Sequence, residues 1–361
     1  MSIAPIRKAV LLCAGEGSRL RPLTFSRPKH LLPVAGKPLL GWALESLAAV
    51  GVEQVAVVVG HRPEAIHRYV GDGSAWELSV CYRTQDKPLG LGHAVKAAAD
   101  FIDGEEFLLY LGDNLLECGL ADLVSAFREE PAAATLYVKE VEDPRAYGVA
   151  VTEGDRVVAL EEKPAEPRSN LAVVGAYAFS PAILDAIAHT PPSARGEYEI
   201  TDAIQALVNR GDLVRACVVQ GFWEDAGRPA ELLKANRLYL DRLEGQVLGT
   251  CDEQTTLEGV VRVGRGTRLT NCHLHGPCLI AENCVLVDSE IGPYASIDSG
   301  CEITDSRVEN CIIQQDSRLS HMRGGLSDSV LGQQVEVSGP SEGSFAPMRL
   351  LLGDMSAMRA V

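Results

Sequence analysis

The sequence predicts two architectures in tandem: an α/β domain on a mixed, mostly parallel sheet, then a parallel β-helix. Three observations predict this. Up to about residue 225, short continuous apolar runs alternate with amphipathic helical patterns. From about residue 255 the helical period gives way to a repeat with a step of 17 residues. The chain has 361 residues, 46% of them apolar, which exceeds one ordinary domain and supplies two cores without staples. The expected division is 1–240 and 241–361.

In order along the chain, Ala9–Cys13 reads as a strand, and Pro38–Val50 as a helix with apolar residues at Leu40, Leu44, Leu47 and Ala48. Gln54–Val59 is a Val-rich strand, Gly90–Phe101 is helical in pattern, and Phe107–Leu111 is again a strand. Uninterrupted apolar strands between helices imply a sheet covered on both faces, with ligands beyond the carboxyl ends of the strands. A helix from about Pro229 to Leu243 links this half to the next.

In the repeat, Val263, Ile280 and Ile297 are 17 residues apart, as are Leu269, Leu286 and Ile303, and Leu274, Ile291 and Val308. Three inward aliphatic corners per unit imply coils that bury a continuous core when stacked. Thr267, Cys284 and Cys301 keep the same step and are small enough for tight corners; Asn271, Asp288 and Asp305 keep it too. The spacing resembles the hexapeptide repeat of left-handed β-helices. The rhythm blurs after Val308, and the last ~20 residues suggest a poorly repeating cap or tail.

The formal charge of −16 argues against a nucleic-acid surface but not against a phosphate site, which needs only a few cations. No apolar run reaches the ~20 residues of a membrane span, and nothing at the N-terminus reads as a secretory signal. The ten cysteines form no Cys-x-x-Cys pair, so reduced, mostly buried thiols of a cytoplasmic protein are expected. His273 and His275 read as repeat surface.

The most informative segment runs from Leu11 to Thr24: Leu-Leu-Cys-Ala-Gly-Glu-Gly-Ser-Arg-Leu-Arg-Pro-Leu-Thr. Gly15 and Gly17 let the backbone approach an anion closely. No Gly-Lys-Ser/Thr follows, so it is not a P-loop, and Leu20 replaces the third glycine of a dinucleotide fingerprint. Alone, such a turn is ordinary. Its company is not: Arg19 follows the glycines, and Pro28-Lys29-His30-Leu31-Leu32-Pro33-Val34 forms a stiff, extended segment carrying a second cation.

Gly-x-Gly-x-Arg-Leu-x-Pro-Leu-Thr followed by Pro-Lys-x-Leu-Leu-Pro-Val resembles the signature of sugar-1-phosphate nucleotidyltransferases, and the likeness extends over nearly the whole chain. It implies a Rossmann-like catalytic domain, in the long form that carries a left-handed β-helix. It also implies that Arg19 and Lys29 clamp the triphosphate, with Leu12, Gly15, Gly17 and Ser18 lining the nucleotide. Ser18 stands where the family more often has Thr. Gln85, whose amide both donates and accepts, and Gly90 match the base-reading segment. Asp113, after the strand Phe107–Leu111, and Asp225, in Trp-Glu-Asp-Ala-Gly, match the two carboxylates that hold Mg²⁺. Ala226 replaces the family's Thr there. On the sugar side the resemblance points to Asn114, Tyr147, Gly148, Glu162, Lys163 and Val173, with Glu197 and Thr201 as further candidates.

The implied substrates are dTTP, or UTP or another triphosphate, and glucose 1-phosphate or another sugar phosphate. Pyrophosphate leaves, and no general base is needed because the nucleophile is already an anion. A homo-oligomer is expected from the flat faces of the coils. A non-catalytic scaffold relative is the rival of another class, and the presence of Arg19, Lys29, Asp113, Lys163 and Asp225 argues against it. An acyltransferase site in the repeat would need a histidine supported by a carboxylate; His321 is the candidate and reads as a surface residue.

Overall fold

The computed structural model describes residues 6–340 and 346–359. Two compact units divide the chain. One comprises the residues up to Glu16 with Leu40–Asp225; the other comprises Gly17–Leu39 with Ala226 onward.

The first unit is built on a nine-stranded sheet. In chain order the strands are β1 (Lys8–Cys13), β2 (Gln54–Val59), β3 (Ser79–Thr84), β4 (Phe107–Leu111), the short β5 (Asn114–Leu116), β6 (Ala134–Glu140), β7 (Gly148–Glu153), β8 (Arg156–Glu162), β9 (Leu171–Phe179), β10 (Val214–Val218) and the short β11 (Trp223–Asp225). The sheet order is β3-β2-β1-β4-β9-β6-β10-β8-β7, while β5 and β11 form a separate ribbon. The helices are α1 (Leu39–Ala48), α2 (Glu64–Val70), α3 (Leu91–Ala97), α4 (Ala99–Ile102), α5 (Ala121–Glu129), α6 (Ala182–His189), α7 (Ile200–Arg210) and α8 (Pro229–Leu240).

The sheet is mixed. Strands β1 to β4 pair in parallel, joined by helical crossovers, and β10 pairs in parallel with β6. The remaining partners, from β9 to the β7 edge, run antiparallel. The difference follows from the connections: β7 and β8 are joined by a turn too short for a crossover. β1 and β2 are buried almost throughout because helices cover both faces. The helical pattern expected over Gly90–Phe101 is split at Ala98 (φ −104°, ψ 10°), which caps α3 and opens α4.

In the second unit the predicted step of 17 residues is the hydrogen-bond register itself. Val263 pairs with Ile280 and Ile280 with Ile297; Leu269, Leu286 and Ile303 form a second file, and Leu274, Ile291 and Val308 a third. All nine are buried, and three parallel faces enclose one core, that of the left-handed β-helix. The small corner residues also bond to backbone. The Thr267 hydroxyl donates to the Ala281 carbonyl (2.7 Å) and accepts from the Cys284 N–H (3.0 Å). The Cys284 thiol in turn donates to the Asp298 carbonyl (3.2 Å). Asn271, Asp288 and Asp305 take φ of 50°, 49° and 48°, the left-handed conformation that Asn and Asp tolerate at a corner.

One expectation about this half is corrected. The coiling does not end where the rhythm blurs: Ile313 pairs with Leu331 and Leu331 with Leu352, while Leu319 pairs with Val337 and Val337 with Met358. Unequal coil lengths hide the repeat without ending it. His321 lies at the surface, its side chain 40% exposed, with its Nδ1 2.8 Å from Asp305 Oδ2. That carboxylate also accepts from Arg323 Nε (2.7 Å), so it is held in an ion-pair cluster.

Within the same unit, α8 lies against the Pro33–Val34 segment and the coil strands Arg307–Ile313 and Leu326–Leu331. Asn236, fully buried on α8, accepts from the Ala35 N–H (2.8 Å) and donates to the Tyr294 carbonyl (3.3 Å). Among the described residues no helix is long and apolar enough to cross a membrane. Among the described residues none of the ten cysteines forms a disulfide.

Candidate functional site

Two acidic residues far apart in sequence are brought near each other because two short strands pair. β11 runs antiparallel to β5 with Asp225 opposite Asn114, which sets Asp225 beside the residue that follows Asp113. Asp113 is buried at the end of β4, and the Gly112 N–H there donates to the Leu12 carbonyl (3.0 Å), tying the turn to β1. The Trp223 indole N–H donates to Asn114 Oδ1 (2.6 Å), which turns the amide nitrogen of Asn114 towards Asp113 Oδ1 (3.4 Å). The Tyr110 hydroxyl donates to the Asn114 carbonyl (2.8 Å). A register shift in β9 between Val173 and Tyr177 brings Gly175 under this turn, where a Cβ would lie 3.0 Å from Asn114 Cγ.

From Asn114 the contacts continue towards the sugar-side candidates. The Trp223 ring tilts against Tyr147 (centroids 5.1 Å apart), and the Tyr147 carbonyl accepts from the Lys163 N–H (3.0 Å). Lys163 takes φ 44° at the end of β8, and its ammonium lies 3.3 Å from Glu162 Oε1. Glu162 Oε2 accepts from the Thr201 hydroxyl (3.0 Å) at the start of α7. Gly148 lies in the same cluster: a Cβ there would meet Thr201 Cγ2 at 2.7 Å and Val173 Cβ at 3.6 Å.

Arg195 joins this cluster, and the sequence reading did not single it out. Its guanidinium approaches Glu162 (3.6 Å), Glu197 (3.2 Å) and Glu199 (2.8 Å). Burial works against its charge, but the Glu199 hydrogen bond and the three carboxylates leave its pKa above the ordinary value. Burial, then the charge of Glu162, pushes the Tyr177 hydroxyl far up. Trp223, the first residue of the Trp-Glu-Asp-Ala-Gly motif, orients Asn114. The clue to Arg195 was its Arg-x-Glu-x-Glu spacing, which otherwise reads as a solvated face.

The base-side candidates form the next link. The Gln85 amide, almost buried, donates to the Gly90 carbonyl (3.0 Å) and faces His93 Nδ1 at 3.3 Å. Gly90 has φ 95°, and a Cβ on it would lie 2.7 Å from the Tyr198 carbonyl oxygen, so both conformation and space require glycine. Tyr198 donates its N–H to the Leu89 carbonyl (2.7 Å) and accepts from the Gly92 N–H (2.8 Å). A series of contacts therefore runs from Gln85 through Gly90 to Tyr198, whose chain neighbours Glu197 and Glu199 hold Arg195, and on through Glu162, Lys163, Tyr147 and Trp223 to Asn114 and Asp113. Gly15, exposed beyond β1, stands outside this series.

In the other unit, the loop after Gly15 is compact. Gly17 (φ 64°) lies so close to Lys29 that a Cβ on it would be 2.9 Å from the lysine Cβ. The Gly17 carbonyl accepts from the Thr24 hydroxyl (2.8 Å) and from the Leu20 N–H (3.0 Å). The fold thus brings Gly17 and Lys29 together. Ser18 and Arg19 are exposed on the turn between them, and Arg19 has no ion-pair partner among the described residues.

The donor set of Asp113 and Asp225 fits a hard divalent cation, which takes one or two carboxylates and completes its shell with substrate and water oxygens. Among the described residues no group of three or more His, Cys, Asp or Glu suited to a metal occurs, so any ion here would rely on those further oxygens.

Residues 8–242 match the nucleotidyl transferase family, and the chain belongs to it. The glucose-1-phosphate thymidylyltransferase of Streptomyces antibioticus is 42% identical over 97% of this chain and 98% of its own length. The low-salt glycan biosynthesis nucleotidyltransferase Agl11 of Haloferax volcanii is 38% identical over 98% of this chain and 99% of its own. A crystal structure of UDP-glucose pyrophosphorylase complexed with UDP-glucose matches with a TM-score of 0.60 at 27% identity, covering 66% of this chain and all of that one.

Proposed function

We propose that this chain transfers a thymidylyl group from dTTP to glucose 1-phosphate, giving dTDP-glucose and pyrophosphate. The observation that carries the reading is the end-to-end likeness to the Streptomyces antibioticus thymidylyltransferase, reinforced by the contacts that link Gln85 to Asp113.

A phosphate oxygen of the sugar phosphate attacks the α-phosphorus in line, the bond to the β-phosphate bridging oxygen breaks, and pyrophosphate leaves. Repulsion between two anions is the obstacle, so catalysis is positioning and charge stabilisation. Lys163 holds the attacking phosphate. Arg19 and Lys29 take the leaving side, with the Gly15–Ser18 backbone and Leu12 along the nucleotide. Gln85 and Gly90 meet the pyrimidine edge. Glu162, Asn114 and the backbone at Tyr147, Gly148 and Val173 receive the hexose. Asp113 and Asp225 would hold Mg²⁺, which when bound would supply compensating positive charge to the reacting phosphates.

Residues 1–240 would form the catalytic module and 241–361 the β-helix, in a cytoplasmic homo-oligomer; sedimentation velocity reads the last point. The decisive experiment offers the protein each common nucleoside triphosphate with several sugar 1-phosphates and follows pyrophosphate. The expected outcome is highest kcat/KM for dTTP with glucose 1-phosphate, loss of turnover in EDTA and recovery with Mg²⁺. Preference for UTP would move the assignment to a uridylyl transfer, and no turnover with any pair would favour a scaffold.

A further inference from the structure

The last coil of the β-helix, where the sequence rhythm has faded, touches the loop that carries Arg19 and Lys29. Asp354 Oδ2 accepts from the Ser26 hydroxyl (2.6 Å) and from Arg27 Nη2 (2.7 Å). Its other oxygen accepts from the Gln333 N–H (2.7 Å), which fixes the carboxylate on the coil. Arg27 Nη1 donates to Gln314 Oε1 (2.8 Å), two coils earlier, and Gln314 is fully buried. The two charged side chains are only 14% and 10% exposed, so this pair is shielded from solvent in a way that surface pairs are not. Next to it Gly353 packs on the loop, where a Cβ would lie 3.0 Å from the Pro22 carbonyl oxygen.

The position of these contacts gives them consequence. Between buried Leu23 and buried His30 the loop places no other side chain in the core, and Phe25 is 61% exposed. The polar grip on Ser26 and Arg27 ties the middle of that stretch to the coils. Lys29 is two residues further on, across Pro28, whose extended conformation (φ −61°, ψ 142°) makes a stiff link. A shift at Arg27 is therefore passed to Lys29, and through the Gly17 contact to the turn bearing Arg19.

We propose that Asp354 is a positioning residue for nucleotidyl transfer: the last coil acts as a latch that sets the phosphate-binding loop. The inference rests on the reading of Arg19 and Lys29 as triphosphate contacts.

The test uses the full-length chain with Asp354→Ala, Asp354→Asn, Arg27→Ala, the Arg27→Ala/Asp354→Ala double variant, and Lys29→Ala. In Asp354→Ala, KM for the triphosphate should rise about tenfold while KM for the sugar phosphate changes less than about twofold. Arg27→Ala should do the same, and the double variant should be no worse than either single one, because one latch has been opened. Asp354→Asn keeps acceptor and shape and should recover part of the loss. Hydrogen exchange at the Leu20 and Phe25 amides should quicken in the alanine variants. If Asp354→Ala does not fold, the asparagine variant carries the test with a rise of about two- to fivefold. Unchanged triphosphate KM, a loss of kcat alone as from a smaller active fraction, or multiplying effects in the double variant would each overturn the proposal. A silent Lys29→Ala would bring down the reading of the loop and the latch with it. A damaging Lys29→Ala beside a silent Asp354→Ala would remove the latch alone.

Discussion

Asp225 comes to face Asn114 through a three-residue strand, and on the proposed reading its carboxylate would help hold Mg²⁺. Asp225→Ala should lower kcat by about 10²–10³, as should Lys29→Ala, with circular dichroism unchanged; steady-state pyrophosphate release measures both. Asp202, beside Thr201 on α7, gives a pH prediction. Burial first, then the charges of Glu199 and Glu162, raise its pKa. A raised acid contributes stability below its unfolded pKa of about 4 and loses it as pH rises through the folded value. Asp202→Asn is spared that loss, so its melting temperature should exceed that of the wild type at pH 7, with the gap closing towards pH 4. At this scale the sequence was legible where a motif is contiguous, as in Gly17 to Lys29. It was silent where function depends on a side chain's partners. Nothing in the Arg195 neighbourhood of the sequence says that three carboxylates share one guanidinium, nor that Trp223 aims an amide at Asp113.

Among the elements, the middle coils were the most readable part of the chain, because an inward aliphatic on each face must recur at the coil length. Leu286 sits fully buried between Leu269 and Ile303. Leu286→Ala should cost about 2–5 kcal/mol in chemical denaturation, since neighbouring coils cannot collapse into the void. The later coils escaped notice because their lengths differ, which destroys a fixed-step signal while leaving the pairing intact. The β9 register shift was equally invisible: Val173 to Tyr177 reads as an even apolar run, and only the neighbouring strands reveal the extra residues. Asn236 was masked in the same way, as a polar residue on a helix expected to be amphipathic. Asn236→Ala leaves the Ala35 N–H and the Tyr294 carbonyl without it, and about 1–3 kcal/mol should be lost in the same assay.

For the molecule as a whole, ligand linkage is the broadest check. Protein that binds dTTP only when folded gains about 2.7 kcal/mol at a hundredfold excess over Kd. Melting temperature should therefore climb by several degrees across a dTTP titration with Mg²⁺ present, as read by scanning fluorimetry. A flat response would count against nucleotide binding. The charge of −16 and the apolar fraction set the general class of the molecule from the outset, but not its partition. That partition is a matter of which segments pack together, and composition carries no record of it.

The polypeptide passes between the two compact units three times, after Glu16, after Leu39 and after Asp225. A single recombination event just after Asp225 would therefore exchange most of one unit while leaving behind its 23-residue N-terminal part, Gly17–Leu39. Chimeras of such genes would inherit an early segment and a late one from different parents. Pairs such as Arg27 with Asp354 and Ala35 with Asn236 would have to match across that seam, so the two ends of the gene are constrained to change together.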